Sequence, residues 1–290
     1  MSGRIPIDKE SAQGAGFWAK KRLGQHLLRD AQVVEESISA LGWKPGEGIL
    51  EIGPGLGALT ESLLATGAIV LAVEVDPSAC VALTRRFGHN ERFKLLQADV
   101  LDTDLSAEAA NAFGGADFHI AANLPYYITT PVLAQVLESG LPFKRMSVLT
   151  QYEVAQRLAA GPGDDDYASL SILAQYYCEV RLLRKVLPGA FTPPPKVDSA
   201  LLLFERRSNP AVVAQEPKLF FQLTRSAFGK RRKTLRNAIL MSAGLDLHLE
   251  PVALDAALLA AGIDGKRRGE TLSLQEYADL ANALSAQIKP

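Results

Sequence analysis

The residues best suited to chemistry in this chain are Asn123-Leu124-Pro125-Tyr126. An asparagine side-chain oxygen and a backbone carbonyl can accept the two N–H bonds of an exocyclic amine on a nucleobase. Such an amine is a poor nucleophile because its lone pair is delocalised into the ring. Two well-placed acceptors favour a more tetrahedral nitrogen and aim the lone pair. Pro125 donates no backbone hydrogen bond and stiffens the turn, and Tyr126 offers a face for a base to stack on, worth about 1–3 kcal/mol. Three other places matter: the glycines Gly53, Gly55 and Gly57 in ILEIGPGLG (49–57), then Glu74, then Asp99. Glycine lets the chain turn sharply and lets a ligand approach bare backbone. Glu74 stands 21 residues after Gly53, about the spacing at which an acid takes a ribose hydroxyl pair.

The elements that must position these residues follow from the pattern around them. Ile49, Leu50 and Ile52 suit a buried parallel strand, and residues 58–64 a helix. A second strand is expected over 68–75. Asp76-Pro77 then opens a helix, Asp76 as its N-cap and Pro77 in its first turn. That accounts for Asp76, whereas Glu74 has no such local duty. Strands over 93–98 and 118–122 close at Asp99 and Asn123. Four consecutive strand ends thus carry Gly53, Glu74, Asp99 and Asn123, and in a doubly wound sheet such ends lie along one ligand-binding edge. Thr130-Pro131 starts a helix through about Ser139, a fifth strand is expected over 146–150, then helical sequence to Ala160, a solvated loop through Asp164–Asp166, and a helix from Ser169. Residues 178–186 and 199–204 read as two strands of an antiparallel edge. Upstream, Asp30 caps a helix over 31–41 that Gly42 ends. After Arg207 strand-like runs stop, and helices are expected over 216–228, 230–242, 251–261 and 273–286, with Ser273 and Glu276 as a capping box and Gly262 as a C-terminal cap. The resulting domains are a polar arm (1–19), an α/β domain (20–207) and an all-α domain (208–290).

Composition bounds the partners. The 290 residues carry a net charge of −1, so no polyanion is indicated globally and any nucleic-acid surface must be a local patch. One such patch is Arg225, Lys230, Arg231, Arg232, Lys233 and Arg236, six positive charges with no acid among them. On a helix, Arg236 would lie one turn from Arg232 and Lys233, with Phe228 and Leu235 facing inward. Lys20, Lys21, Arg22, Lys266, Arg267 and Arg268 would extend it. Cys80 and Cys178 form no CxxC, and His26, His89, His119 and His248 show no ligand spacing; neither a disulfide framework nor a metal site is expected. No signal-peptide layout and no apolar run of membrane-spanning length is present, so a cytoplasmic protein is expected.

EIGPGLG, Glu74, QAD ending at Asp99, and NLPY resemble the class I S-adenosylmethionine-dependent methyltransferases that act on amino groups of bases. KKRLGQHLL, AQYY (174–177) and FTPPPKVDSA (191–200) narrow the resemblance to the rRNA adenine N6,N6-dimethyltransferases, specifically the bacterial small-subunit type, and it runs from about Lys20 nearly to the C-terminus. The resemblance implies a Rossmann-like seven-stranded sheet with a small helical RNA-binding domain. It implies that His26 and Leu28 border the S-adenosylmethionine pocket, that Gly53 and Gly55 approach the cofactor, that Glu74 holds the ribose hydroxyls, and that Asp99 meets the adenine amino group. Asn123 would bind both cofactor and target amine, and Tyr126 and Phe191 would sandwich the flipped adenine. The implied reaction is methyl transfer from the sulfonium to N6 of two adjacent adenosines near the 3′ end of 16S rRNA, within the 30S subunit or its precursor, by a monomer and without metal. Leu27 departs from the phenylalanine common in the family, which puts an aromatic role there in doubt. The competing readings are a 23S rRNA adenine dimethyltransferase of the macrolide-resistance type and an assembly or transcription factor on the same fold.

Overall fold

Local sequence sets most element boundaries in the structure, a computed structural model that describes residues 26–242 and 249–288. The expected arm, the basic residues Lys20, Lys21 and Arg22, and His248 lie outside the described residues. After a two-residue strand β1 (Leu27–Leu28), Asp30 accepts hydrogen bonds from the amides of Gln32 (3.0 Å) and Val33 (3.4 Å) and starts α1 (Ala31–Leu41). Strand β2 (Gly48–Ile52), α2 (Ala58–Ala65) and β3 (Ile69–Glu74) follow. Asp76 accepts from the amide of Ser78 at 3.0 Å and opens α3 (Pro77–Phe87). Then come β4 (Phe93–Gln97), a 3-10 turn at Val100–Asp102, α4 (Leu105–Phe113), β5 (Phe118–Asn123), α5 (Thr129–Glu138) and β6 (Arg145–Gln151). The chain continues through α6 (Tyr152–Ala159), α7 (Ser169–Tyr177), β7 (Cys178–Val186), β8 (Phe191–Thr192) and β9 (Ser199–Arg206). The remainder is helical: α8 (Pro217–Phe228), α9 (Leu235–Leu240), α10 (Pro251–Ala260) and α11 (Leu274–Ile288).

Seven strands form one sheet in the order β4-β3-β2-β5-β6-β9-β7. The pairs β4–β3, β3–β2, β2–β5 and β5–β6 are parallel, and β9 runs antiparallel to β6. This is the expected seven-stranded α/β sheet. The order reverses at β2, whose neighbours are β3 and β5; such a switch point opens a crevice at the strand carboxyl ends. β2 is buried throughout, and Ile49, Leu50, Val70, Ile120 and Leu201 are fully buried, which is why these strands read as continuous apolar runs. The sequence reading lacked α4 and a second, two-stranded sheet in which β1 pairs antiparallel with β8, Leu27 opposite Thr192 and Leu28 opposite Phe191.

Backbone contacts group the described chain into two compact units. One holds the residues up to Ala155 with Val180–Arg206, and the other holds Gln156–Glu179 with the residues from Arg207 onward. Within the second unit, Tyr176 lies 5.1 Å from both Phe220 and Phe221, and Tyr167 meets Phe228 at 5.5 Å. The AQYY stretch is therefore part of the helical unit's aromatic core. The capping box expected for α11 is present, the amide of Glu276 donating to Ser273 Oγ (3.2 Å) and that of Ser273 to Glu276 Oε2 (2.8 Å).

In the first unit, Glu51 on β2 is 1% exposed and accepts a hydrogen bond from Thr60 Oγ1 of α2 at 2.7 Å. The bond spans the glycine turn. Burial pushes the Glu51 carboxyl up to about 8 from its ordinary 4.5, so the native protein holds it protonated at neutral pH. The folded state thus binds a proton that the unfolded chain releases above pH 4.5. That stabilisation is complete below the unfolded value and is lost as pH rises through about 8. Glu51→Gln, which cannot ionise, should melt progressively higher than the unmodified protein between pH 5 and 9; thermal melts over that range check it, and a pH-independent gap would show an ionised native carboxylate.

Candidate active site

Strand register brings the expected residues into one row. Ile52 of β2 lies opposite Val73 of β3 and Ala122 of β5, so the next positions, Gly53, Glu74 and Asn123, stand side by side at the switch point. The Gly53 amide donates to the Val73 carbonyl at 3.0 Å, and the Ala98 amide donates to the Glu74 carbonyl at 3.0 Å, which sets Asp99 just beyond the same edge. Gly53 has φ 69°, a left-handed conformation that favours glycine, and a Cβ there would find its nearest neighbour, the Asn123 carbonyl oxygen, at 3.8 Å. The turn thus leaves room beside bare backbone. Gly57 differs: its φ is 83° and a Cβ would lie 2.5 Å from Phe87 Cε2, so this glycine serves packing.

Glu74 has more local work than its sequence position suggests. Its Oε2 accepts from the Gly55 amide (3.0 Å) and its Oε1 from the Asp76 amide (2.8 Å), and the residue is 4% exposed. The expectation that Glu74 lacks a structural duty is corrected: it ties the glycine turn to the start of α3. Burial pushes its carboxyl above the ordinary range, opposed by those two amide donors. Each oxygen still has acceptor capacity for a hydroxyl. Asp99 is exposed and accepts from the Leu101 amide at 2.9 Å through one oxygen.

The turn after β5 is anchored on every side. The Leu124 amide donates to the Leu149 carbonyl (3.2 Å), and the Pro125 carbonyl accepts from both the Ile128 amide (3.1 Å) and Thr129 Oγ1 (3.2 Å). The Asn123 Nδ2 donates to the His26 carbonyl at 3.2 Å. Tyr126, half-buried, has its hydroxyl 2.7 Å from Ser199 Oγ and its ring centroid 5.5 Å from that of His26. His26 Nδ1–H donates to the Pro193 carbonyl at 2.8 Å. The structure therefore gathers Asn123, Tyr126 and His26 with the 191–199 loop. Ser199 and Pro193 were not picked out from the sequence as site residues, although FTPPPKVDSA, which contains both, was noted.

Two residues sit differently from expectation. Phe191 is 4% exposed and belongs to the apolar cluster with Leu28, Val186 and Ala190, while Tyr126 is the more open aromatic. Leu28, 6% exposed, is in the same cluster. Leu27 packs on the glycine turn, its Cδ2 3.3 Å from where a Gly55 Cβ would stand; it fills space there without an aromatic ring.

The basic stretch of the helical unit is also rearranged. Gly229 closes α8, its amide bonded to the Arg225 carbonyl at 3.0 Å, and Thr234 caps α9 by accepting from the Asn237 amide at 3.4 Å. Lys230–Lys233 is therefore a turn, closed by the Lys233 amide on the Lys230 carbonyl at 2.8 Å, and the expected helix over 230–242 shortens to α9. The one-turn spacing of Arg232 and Lys233 to Arg236 does not arise. Arg236 is bidentate to Asp255 (2.5 and 2.8 Å), and Arg231 donates to Glu270 (3.1 Å) and to the Asp165 carbonyl (2.7 Å). Arg267 pairs with Glu276 and Arg268 with Glu270. Among the described residues, no ion pair engages Lys230, Arg232 or Lys233, and all three are exposed, as is Arg225. Lys21 and Arg22 lie outside the described residues. Among the described residues there is no cluster of three or more potential metal ligands, and no helix is long and apolar enough to cross a membrane. Cys80 and Cys178 are buried, and neither is in a disulfide.

This chain is similar to known proteins. The family described as Ribosomal RNA adenine dimethylase matches residues 16–284. The chain is 41% identical over 280 residues to the Ribosomal RNA small subunit methyltransferase A of Alkaliphilus oremlandii, covering 97% of this chain and 96% of that one. Two solved structures share the fold: a dimethyladenosine transferase from Plasmodium falciparum (TM-score 0.73, 23% identity, 90% of this chain and 98% of that one) and the 23S rRNA methyltransferase ErmE (TM-score 0.66, 23% identity, 89% and 99%). The fold is thus that of the class I methyltransferases, and the chain belongs to the ribosomal RNA adenine dimethylase family, whose members are S-adenosylmethionine-dependent methyltransferases.

Proposed function

We propose that this enzyme dimethylates N6 of two adjacent adenosines near the 3′ end of 16S rRNA, in the 30S subunit or its precursor, as a step in ribosome biogenesis. The small-subunit name of a relative 41% identical along nearly the whole chain supports this RNA over the 23S alternative, and the likeness to ErmE bears on the fold alone. The name of that 41% identical relative also favours a catalyst over an assembly or transcription factor. The reading includes a cytoplasmic monomer that needs no metal. Residues 20–207 hold the cofactor, and 208–290 meet the RNA.

The observation that carries the chemistry is the bond from Asn123 Nδ2 to the His26 carbonyl. It consumes a donor of the amide and so turns Oδ1 toward the remaining space as an acceptor for the target amine. The Pro125 carbonyl already serves Ile128 and Thr129, and we assign the second acceptor to the Leu124 carbonyl. Together they hold the two N–H bonds of N6 and aim its lone pair, while Tyr126 stacks on the base and Phe191 supports it from the core. When bound, S-adenosylmethionine supplies a methyl group made electrophilic by the sulfonium charge. The residues at the switch point fit it: Gly53 gives open backbone, Gly55 and Glu74 a bonded rim with acceptors for ribose hydroxyls, Asp99 an exposed carboxylate for an adenine amino group, and His26 and Leu28 a border. Rate comes from positioning and desolvation.

The direct test is methyl transfer from labelled S-adenosylmethionine to 30S particles lacking the modification, with nuclease digestion of the product. Dimethyladenosine at two adjacent positions is expected, and transfer to 23S rRNA alone would sink the proposal. Asn123→Ala should lower kcat by at least about 100-fold while filter binding still shows RNA retained. The two glycines should separate. Gly57→Ala should cost about 2–4 kcal/mol of stability through its clash and positive φ. Gly53→Ala, with no clash, should cost less stability, about 1–2 kcal/mol from its positive φ alone, and should weaken S-adenosylmethionine binding in calorimetry. On the basic turn, Arg232→Glu should weaken 30S binding with a reduced salt dependence. Arg231→Ala should act mainly through the loop it ties, lowering the melting temperature; equal salt slopes for the two variants would count against that division.

A further inference from the structure

Tyr126 is held at two points that acceptance of the amine does not itself require. Its phenol oxygen lies 2.7 Å from Ser199 Oγ, and Ser199 is fully buried as the first residue of β9, opposite Gln151 of β6 in the antiparallel ladder. Its ring lies 5.5 Å from the His26 imidazole at an interplanar angle of 30°. These contacts constrain different motions. The phenol oxygen sits on the Cβ–Cγ axis about which the ring rolls. A hydrogen bond at that oxygen fixes where the ring points and leaves its roll free. A second ring packed against it limits the roll. His26 is itself fastened by Nδ1–H to the Pro193 carbonyl at 2.8 Å, directly after the β1–β8 pairing that joins the two segments.

We propose that Ser199 and His26 are positioning residues for the target base: Ser199 sets the direction of the Tyr126 ring and His26 sets its plane. The stacking plane decides how N6 meets Asn123 Oδ1 and the Leu124 carbonyl, so both residues act on transfer without touching the reacting atoms. This gives the KVDS part of the loop and the imidazole of His26 a role in presenting the base, in addition to any cofactor contact of His26. It rests on the reading of Tyr126 as the stacking surface.

The test is steady-state kinetics on 30S particles lacking the modification, beside calorimetric S-adenosylmethionine affinity. Ser199→Ala should lower kcat roughly 10- to 100-fold with cofactor affinity within about twofold, and Ser199→Thr should restore most of it. Tyr126→Phe removes the same bond from the other side and should give the same loss, even if Ser199→Ala folds poorly. The double variant should lose no more than either single one. A Ser199→Ala kcat within about twofold of the unmodified enzyme, or losses that multiply, overturns the role of Ser199. For His26, replacement by Ala should lower kcat more than replacement by Phe, which keeps a ring but loses the tie to the Pro193 carbonyl; both variants keep the backbone carbonyl that Asn123 uses. Equal losses in the two overturn the ring's role. An unmodified enzyme inactive on these particles would instead overturn the proposed substrate, and is distinguishable because every one of these comparisons presupposes transfer by the unmodified chain.

Discussion

The His26 carbonyl decides which end of the Asn123 side chain is available, and much of the site depends on that single bond. An asparagine amide offers a donor end and an acceptor end of nearly equal shape. Only the acceptor end can draw electron density toward an incoming amine. The bond of 3.2 Å from Nδ2 to His26 assigns the ends. It exists because β1 pairs with β8 and carries His26 across to the carboxyl end of β5. A two-residue strand therefore does what the large sheet cannot, since the sheet places the Asn123 backbone but not the roll of its amide.

The sheet supplies the complementary half. Parallel register puts Gly53, Glu74 and Asn123 in one row at the reversal of strand order. Glu74 then works in two directions. Its carboxylate accepts the Gly55 and Asp76 amides, so the glycine turn is shaped by the same acid that faces the ligand edge. Glu51, one residue before the end of β2, fastens the far side of the turn to α2 through Thr60. A glycine turn has high intrinsic freedom, and two buried carboxyls restrict it, one as a hydrogen-bond acceptor to backbone and the other held protonated by burial.

What the sequence disclosed is what local physics determines. The caps Asp30 and Asp76, the box of Ser273 and Glu276, and the apolar strands with polar ends depend on neighbours a few residues away, and each was legible. What it concealed is non-local. Nothing near Glu74 announces that its oxygens are taken by amides at 55 and 76. Nothing in GQHLL shows that it pairs with FTPPP, 164 residues from Leu27 to Phe191 along the chain. The family resemblance points to Phe191, but its burial against Leu28 and Val186 is not visible there. α4 was missed because its alanine-rich face carries a weak apolar pattern, although Asp104 caps it in the ordinary way.

The basic stretch shows the same limit from the side of charge. Six cations without an intervening acid look in sequence like one uniform patch, yet acids at 255 and 270 reach back and occupy two of them. An internally paired arginine offers less to a phosphate, because binding there must first displace a carboxylate. The charge in this segment that no ion pair engages thus concentrates on the exposed turn of Lys230, Arg232 and Lys233, while Arg231 and Arg236 hold that turn's flanks to the rest of the helical unit. A turn fastened at both ends presents its side chains with less conformational entropy to lose than a mobile loop would, which favours recognition of a folded RNA by shape and phosphate spacing.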